Sequence, residues 1–267
     1  MVKENKSIGF FDSGVGGLTV FEKVKKLLPN EDYLYFGDLK NIPYGEKSRK
    51  ELVKIADKIF KFFEKKGVKA VVMACNTTSA NTYDELQDKY SFKIYPIIQS
   101  SAKIIAQMPI KRVGVFATQA TIDSGAYGRE LKRHNPNLEV FEMSCPPWVG
   151  IVEEKKQKDP KSVACVDLYL GQLLQHHPDK IILGCTHYPF LMGILEKFMP
   201  KDMFIDPAQY FAQFIKEDLA KNGLLKKDLN GTGGGSEKFF VSANPENFKA
   251  AASMFYPIKD LPELVNL

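Results

Sequence analysis

The sequence predicts an α/β fold: two pseudosymmetric α/β domains with mainly parallel sheets, and the functional crevice in the cleft between them. Three observations carry this. Short apolar runs alternate with helical stretches along the chain, the signature of strand–helix–strand units feeding a parallel sheet. Polar residues gather where the apolar runs end, and open parallel sheets bind ligands outside the carboxyl ends of their strands. Two segments, "VVMACNTTSA" at 71–80 and "IILGCTHYPF" at 181–190, repeat one pattern of apolar strand, small residue, cysteine, polar pair and helix.

Taken in chain order, "SIGFFD" and "DYLYFGD" read as strands, with the glycine-rich turn "FDSGVGGLTV" (11–20) leading from the first into a helix. Residues 48–67 form a helix: Leu52, Ile55, Ile59, Phe60 and Phe63 share one stripe, lysines fill the rest, and Gly67 stops it. The strands "KAVVMAC", "KIYPII", "RVGVFAT", "LEVFEM", "KIILGC" and "MFIDP" follow, separated by helical patterns. After Asp206 come a helix, "AQYFAQFIKEDLAKNG", a glycine-rich surface turn, "NGTGGGSEK", a strand, "FFVSA", and a last helix from Pro245. These return to complete the first half. The chain then divides into a discontinuous first domain, residues 1–98 plus 208–267, and a second domain, 99–207.

At 267 residues and 44% hydrophobic composition the chain buries one large core or two smaller ones. The net charge of +5 comes from lysines scattered over helical faces, so no nucleic-acid partner is expected, and a small anionic substrate suits it. The start, "MVKENKSIGFFDSG", has no signal-peptide apolar core, and no apolar run approaches the ~18 residues needed to cross a bilayer, so a cytoplasmic protein without a membrane partner is expected. Four cysteines, at 75, 145, 165 and 185, show no close pair, and reduced thiols follow.

The strand ends supply Asp12, Ser13, Asp38, Cys75, Asn76, Thr118, Thr121, Cys185, Thr186 and Asp206. The turn after Asp12 lacks the third glycine of a dinucleotide fingerprint, Thr19 standing in its place, but exposes backbone N–H groups to a carboxylate or phosphate. Either cysteine alone reads as a small buried hydrophobe. Two at equivalent strand ends, each followed by hydrogen-bonding residues, read as chemistry. Cys165, on an amphipathic helix, and Cys145 read as structural, and His134, His176 and His177 as solvated. A zinc site from Cys75, Cys185, His187 and an acid lacks the second close ligand pair usual in structural sites. A Cys–His hydrolase leaves one cysteine without a role.

Two thiols facing one carbon suit the removal of a proton from one side of a stereocentre and its return on the other. A thiol of pKa ~8.5 needs help to ionise near neutrality, and helix amino termini directly after Asn76 and Thr186 would give it. Asp12 and His187, if each neighbours one cysteine, accept or donate the proton in transit.

The motifs "GFFDSGVGGLTV", "YFGDLKNIPYGEKS", "MACNTTSA", "ATQATIDSGAY", "LGCTHYPFL" and "IDPA" together resemble the glutamate racemase branch of the cofactor-independent aspartate/glutamate racemase superfamily, over almost the whole chain and in the right order. The resemblance implies interconversion of L- and D-glutamate for bacterial peptidoglycan, with no cofactor and no metal, by a homodimer. It implies Cys75 as the base toward D-glutamate and Cys185 as the base toward L-glutamate. Asp12 and His187 are implied as auxiliary acid/base residues, and Glu153 as an acid on the histidine side. Ser13, Tyr44, Gly45, Asn76, Thr77, Thr121, Thr186 and His187 are implied to hold substrate, with Asp12 beside them. In "CPPWVGIVEE" Trp148 and Gly150 replace a more usual phenylalanine and proline, and Thr78 stands where alanine is frequent. The rival readings are an aspartate or broader amino-acid racemase of the same superfamily and a non-catalytic amino-acid sensor.

Overall fold

The structure is a computed structural model that describes residues 3–226 and 234–267. The strands are β1 (Ile8–Asp12), β2 (Tyr33–Gly37), β3 (Ala70–Met73), β4 (Lys93–Pro96), β5 (Arg112–Ala117), β6 (Glu139–Ser144), β7 (Lys180–Gly184), β8 (Phe204–Ile205), β9 (Glu237–Val241) and β10 (Glu263–Leu264). The helices are α1 (Leu18–Leu27), α2 (Arg49–Lys66), α3 (Asn76–Leu86), α4 (Ile97–Ile105), α5 (Gln119–Ser124), α6 (Ala126–His134), α7 (Pro147–Glu153), α8 (Pro160–Leu174), α9 (Met192–Leu195), α10 (Pro207–Lys221) and α11 (Pro245–Ala252). The part of the glycine-rich turn at 230–233 lies outside the described residues.

Every strand pairing is parallel among the described residues. One sheet has the order β10-β9-β2-β1-β3-β4 and the other β6-β5-β7-β8. The stretch β2-β1-β3-β4 and the whole second sheet thus repeat one topology. In each, the chain steps one way from its first strand and then crosses to the other side of it. That reversal opens a crevice at the carboxyl ends of the first and third strands. Cys75 follows β3 and Cys185 follows β7, so each cysteine stands at the switch point of its own sheet. β9 returns after α10 and pairs with β2, extending the first sheet.

β1, β2 and β3 are buried along their whole length, as strands covered on both faces must be. Side chains alternate across β1, so Phe10 joins a core that runs through α1, α10 and α4 to the second sheet, while Phe11 joins a separate cluster under α2 with Phe60 and Phe63. α2 has the limits its sequence predicts: Ser48 and Glu51 form a reciprocal capping box, and Gly67 closes the helix in the left-handed region at φ 69°. Cys145 is fully buried. Cys165 is only half-buried on α8, a weaker core position than its amphipathic pattern suggests. His134, His176 and His177 are exposed, and the His176 ring stacks on Phe141.

Candidate active site

A cavity of about 260 Å³ lies where the two switch points face each other. Ser13, after β1, and Tyr44 and Gly45 line it from the first sheet's loops, with Cys75, Asn76 and Thr77 at the start of α3. From the second sheet come Thr118 after β5, Pro146 and Glu153 at the two ends of α7, and Cys185, Thr186 and His187 after β7. No lysine or arginine is among these lining residues. A carboxylate bound here meets hydroxyls, amides, backbone N–H groups and the His187 ring.

Cys75 is the N-cap of α3, with extended backbone, and its Sγ lies 3.9 Å from Ser13 Oγ. The segment after Cys185 departs from expectation. His187 is the N-cap of a short 3₁₀ turn, Tyr188–Leu191, with Pro189 in its first turn, and only then does the one-turn α9 follow. The α-helical dipole expected behind Cys185 is therefore missing, and a histidine takes its place. His187 Nδ1 is 3.8 Å from Cys185 Sγ and Nε2 is 3.1 Å from Glu153 Oε1. Burial opposes charge on this ring, yet the hydrogen bonds to Cys185 and Glu153 and their charges outweigh it, and the imidazole is pushed up to about 10. His187 thus presents an imidazolium to Cys185. The two ring nitrogens point to different partners, and among the described residues no cluster of three or more His, Cys, Asp or Glu is placed to hold a metal ion.

Asp12 does not line the cavity. It is fully buried under the glycine turn, where Oδ1 accepts from the Gly14 N–H at 2.9 Å and Oδ2 has no hydrogen-bond partner among the described residues. Burial raises its carboxyl, opposed by the N–H of Gly14 and the charge of His187. Cys75 is likewise pushed up to about 11, first by burial and then by the charge on Asp12, so in the unliganded site it is a thiol despite the helix amino terminus beside it.

Behind the walls, hydroxyls and amides fasten the two halves. Thr77 Oγ1 lies 2.8 Å from Thr118 Oγ1, which lies 3.0 Å from Thr121 Oγ1. Thr121 is fully buried and outside the lining, so it aligns the other two hydroxyls and does not face the cavity. Tyr127 Oη donates to Asn76 Oδ1 at 2.7 Å, which leaves the Asn76 amide N–H groups for the cavity. Asp38 also stands outside the cavity: it accepts from Tyr44 Oη (2.6 Å), Ser242 Oγ (2.6 Å) and Asn41 Nδ2, and so sets the Tyr44 ring on the wall. Asp206 caps α10 through the Ala208 N–H and pairs with Lys23. Tyr127 and Gly16 were missed by sequence reasoning. A Cβ at Gly16 would lie 2.7 Å from His187 Cε1 and closer still to Thr186 Oγ1, so its backbone is pressed against the second cysteine's segment. No local signal reveals either contact, since each joins residues distant in the chain.

The profile of the Asp/Glu/Hydantoin racemase family matches residues 8–215. The glutamate racemase of Carboxydothermus hydrogenoformans is 39% identical over 256 residues, covering 96% of this chain and 94% of that protein. That of Thermoanaerobacter pseudethanolicus is 37% identical over 253 residues, covering 94% and 93%. The crystal structure of the Francisella tularensis glutamate racemase in complex with D-glutamate superposes with a TM-score of 0.89 at 33% identity, covering 99% of this chain and 98% of that one. A glutamate racemase isoform from Bacillus anthracis superposes with a TM-score of 0.90 at 30% identity, again covering 99% and 98%.

Proposed function

The chain belongs to the Asp/Glu/Hydantoin racemase family, and from that premise we propose how its cleft works as a two-base site. It is an isomerase that interconverts L- and D-glutamate. The observation that carries the mechanism is that Cys75 and Cys185, each at the switch point of a different sheet, line one small cavity. With D-glutamate bound, the Cys75 thiolate takes the α-proton and the Cys185 thiol returns one to the opposite face. The L-enantiomer runs the same steps in reverse. His187 carries a proton at Nδ1 beside Cys185 Sγ, and Glu153 holds the ring in that orientation through Nε2. Asp12 plays the matching part behind Cys75.

Because Cys75 rests as a thiol, its proton must leave as substrate binds, and Asp12, whose carboxyl burial raises, is the group that accepts it. The ammonium group of glutamate brings a positive charge to a site where the Asp12 charge had opposed the thiolate, and it removes part of that opposition. As the α-carbon loses its proton, negative charge spreads into the α-carboxylate. Asn76, Thr77, Thr186, Ser13 and the backbone N–H groups at the start of α3 are the donors that meet it. Tyr44 and Gly45 close the wall. Burial and the charge of Asp38 raise the Tyr44 phenol well above its ordinary value, so it stays protonated and donates to Asp38.

The division into residues 1–98 plus 208–267 and 99–207, a homodimeric state, a cytoplasmic location and supply of D-glutamate to peptidoglycan belong to the same proposal. Among the described residues no helix is long and apolar enough to cross a membrane. The test is to incubate the protein with L-glutamate in deuterated water with a chelator, following optical rotation and the α-proton signal. Loss of both signals together is the expected result. Binding of glutamate without exchange would overturn the proposal in favour of a sensor, and turnover of aspartate alone would move the substrate.

A further inference from the structure

We propose that the Thr78 hydroxyl is a hydrogen-bond donor to the sulfur of Cys75 in its thiolate form, making Thr78 a positioning residue for that base. Cys75 is the N-cap of α3 and Thr78 stands three residues on, in the first helical turn. The Cys75 side chain makes no cap hydrogen bond, and helical side chains lean back toward the amino terminus, which aims the Thr78 side chain at the end of the helix where Cys75 stands. Thr78 is fully buried, and its Oγ1 has no hydrogen-bond partner among the described residues.

A buried threonine in a helix has an easy alternative, the carbonyl four residues back. Thr82, one turn further along α3, takes it, donating to Thr78 O at 2.9 Å. Ser101 in α4 does the same with Ile97 O at 2.6 Å. Thr78 does not, and an unpartnered buried hydroxyl carries a desolvation cost. A thiolate three residues away supplies the missing acceptor, in a charge-assisted bond. Toward a charged sulfur, the hydroxyl and N–H of Thr78 both act to lower the pKa of Cys75, against burial and the Asp12 charge. The hydroxyl keeps its own proton throughout. The proton that moves passes between the substrate α-carbon and Sγ.

This inference rests on Cys75 being a base in the proposed function, and its test is a titration that does not require turnover. Brief alkylation with iodoacetamide over a pH series, with the Cys75 and Cys185 peptides quantified by mass spectrometry, gives the ionisation midpoint of each thiol. Thr78→Val keeps shape and removes the hydroxyl; it should raise the Cys75 midpoint by about one pH unit and leave that of Cys185 in place. Thr78→Ser, which restores a hydroxyl, should return it. Racemisation by Thr78→Val should fall roughly tenfold at neutral pH, with substrate affinity little changed. An unchanged Cys75 midpoint in folded Thr78→Val protein overturns the inference, as does a Thr78→Ser midpoint matching that of Thr78→Val. A racemase-inactive wild-type protein would leave this titration readable, so the two readings fail separately.

Discussion

Replacing Gly16 by alanine tests whether the two halves meet as closely as the structure places them. The added methyl would lie 2.7 Å from His187 Cε1, 2.8 Å from His187 Nδ1 and nearer still to Thr186 Oγ1, where ordinary contact begins at 3.4 Å. Thr186 and His187 must therefore retreat by roughly 1 Å, about the misplacement that costs an enzyme 10²-fold in rate. That equals about 2.7 kcal/mol of transition-state stabilisation. Overpacking adds about 1–3 kcal/mol to the folded state's cost, lowering Tm by several degrees. Gly14, in the same turn, is the control: a Cβ there meets nothing within 4 Å among the described residues, and its φ does not demand glycine. The assay is kcat/KM for both enantiomers with a melting curve for each variant. Because the equilibrium constant of a racemisation is unity, kcat/KM must fall equally in both directions. Wild-type kinetics in Gly16→Ala, or an equal loss in Gly14→Ala, would refute the close approach.

Cys75→Ser and Cys185→Ser should each lower racemisation by roughly 10³-fold while leaving the melting temperature nearly unchanged, and full activity in either removes the two-base mechanism. Asp12→Asn should slow the enzyme yet stabilise it at neutral pH. The folded state raises this carboxyl above 3.8, so stability is lost as pH rises through the raised value, and the gain from asparagine should vanish below about pH 4 in pH-dependent melts. Tyr44→Phe removes one of the donors to buried Asp38, a bond to a charged acceptor worth about 1.5–3 kcal/mol, and should raise KM more than it lowers kcat in steady-state assays.

Much of this molecule is legible along the chain because its signals are local. Ser48, Glu51 and Gly67 bound α2 through contacts within one turn, and the apolar runs of β1, β3 and β7 declare strands buried on both faces. The repeated cysteine segments declared their equivalence through position at strand ends. Asp12 was found for a similar reason, although its seat beneath the cavity was not. The short 3₁₀ turn after His187 was misread as a helix start, since Pro189 fits the first turn of either.

The sequence by itself determined the α/β class, the order of its elements and the candidate bases, because periodicity, capping and turn chemistry act over a few residues. Only the tertiary structure decided that Cys75 and Cys185 share one cavity, that His187 joins Cys185 to Glu153, that Asp38 accepts from both Tyr44 and Ser242, and that Thr121 stands behind the wall. Those relations depend on burial and on hydrogen bonds between distant parts of the chain. They take their direction only when two parallel sheets bring their switch points face to face.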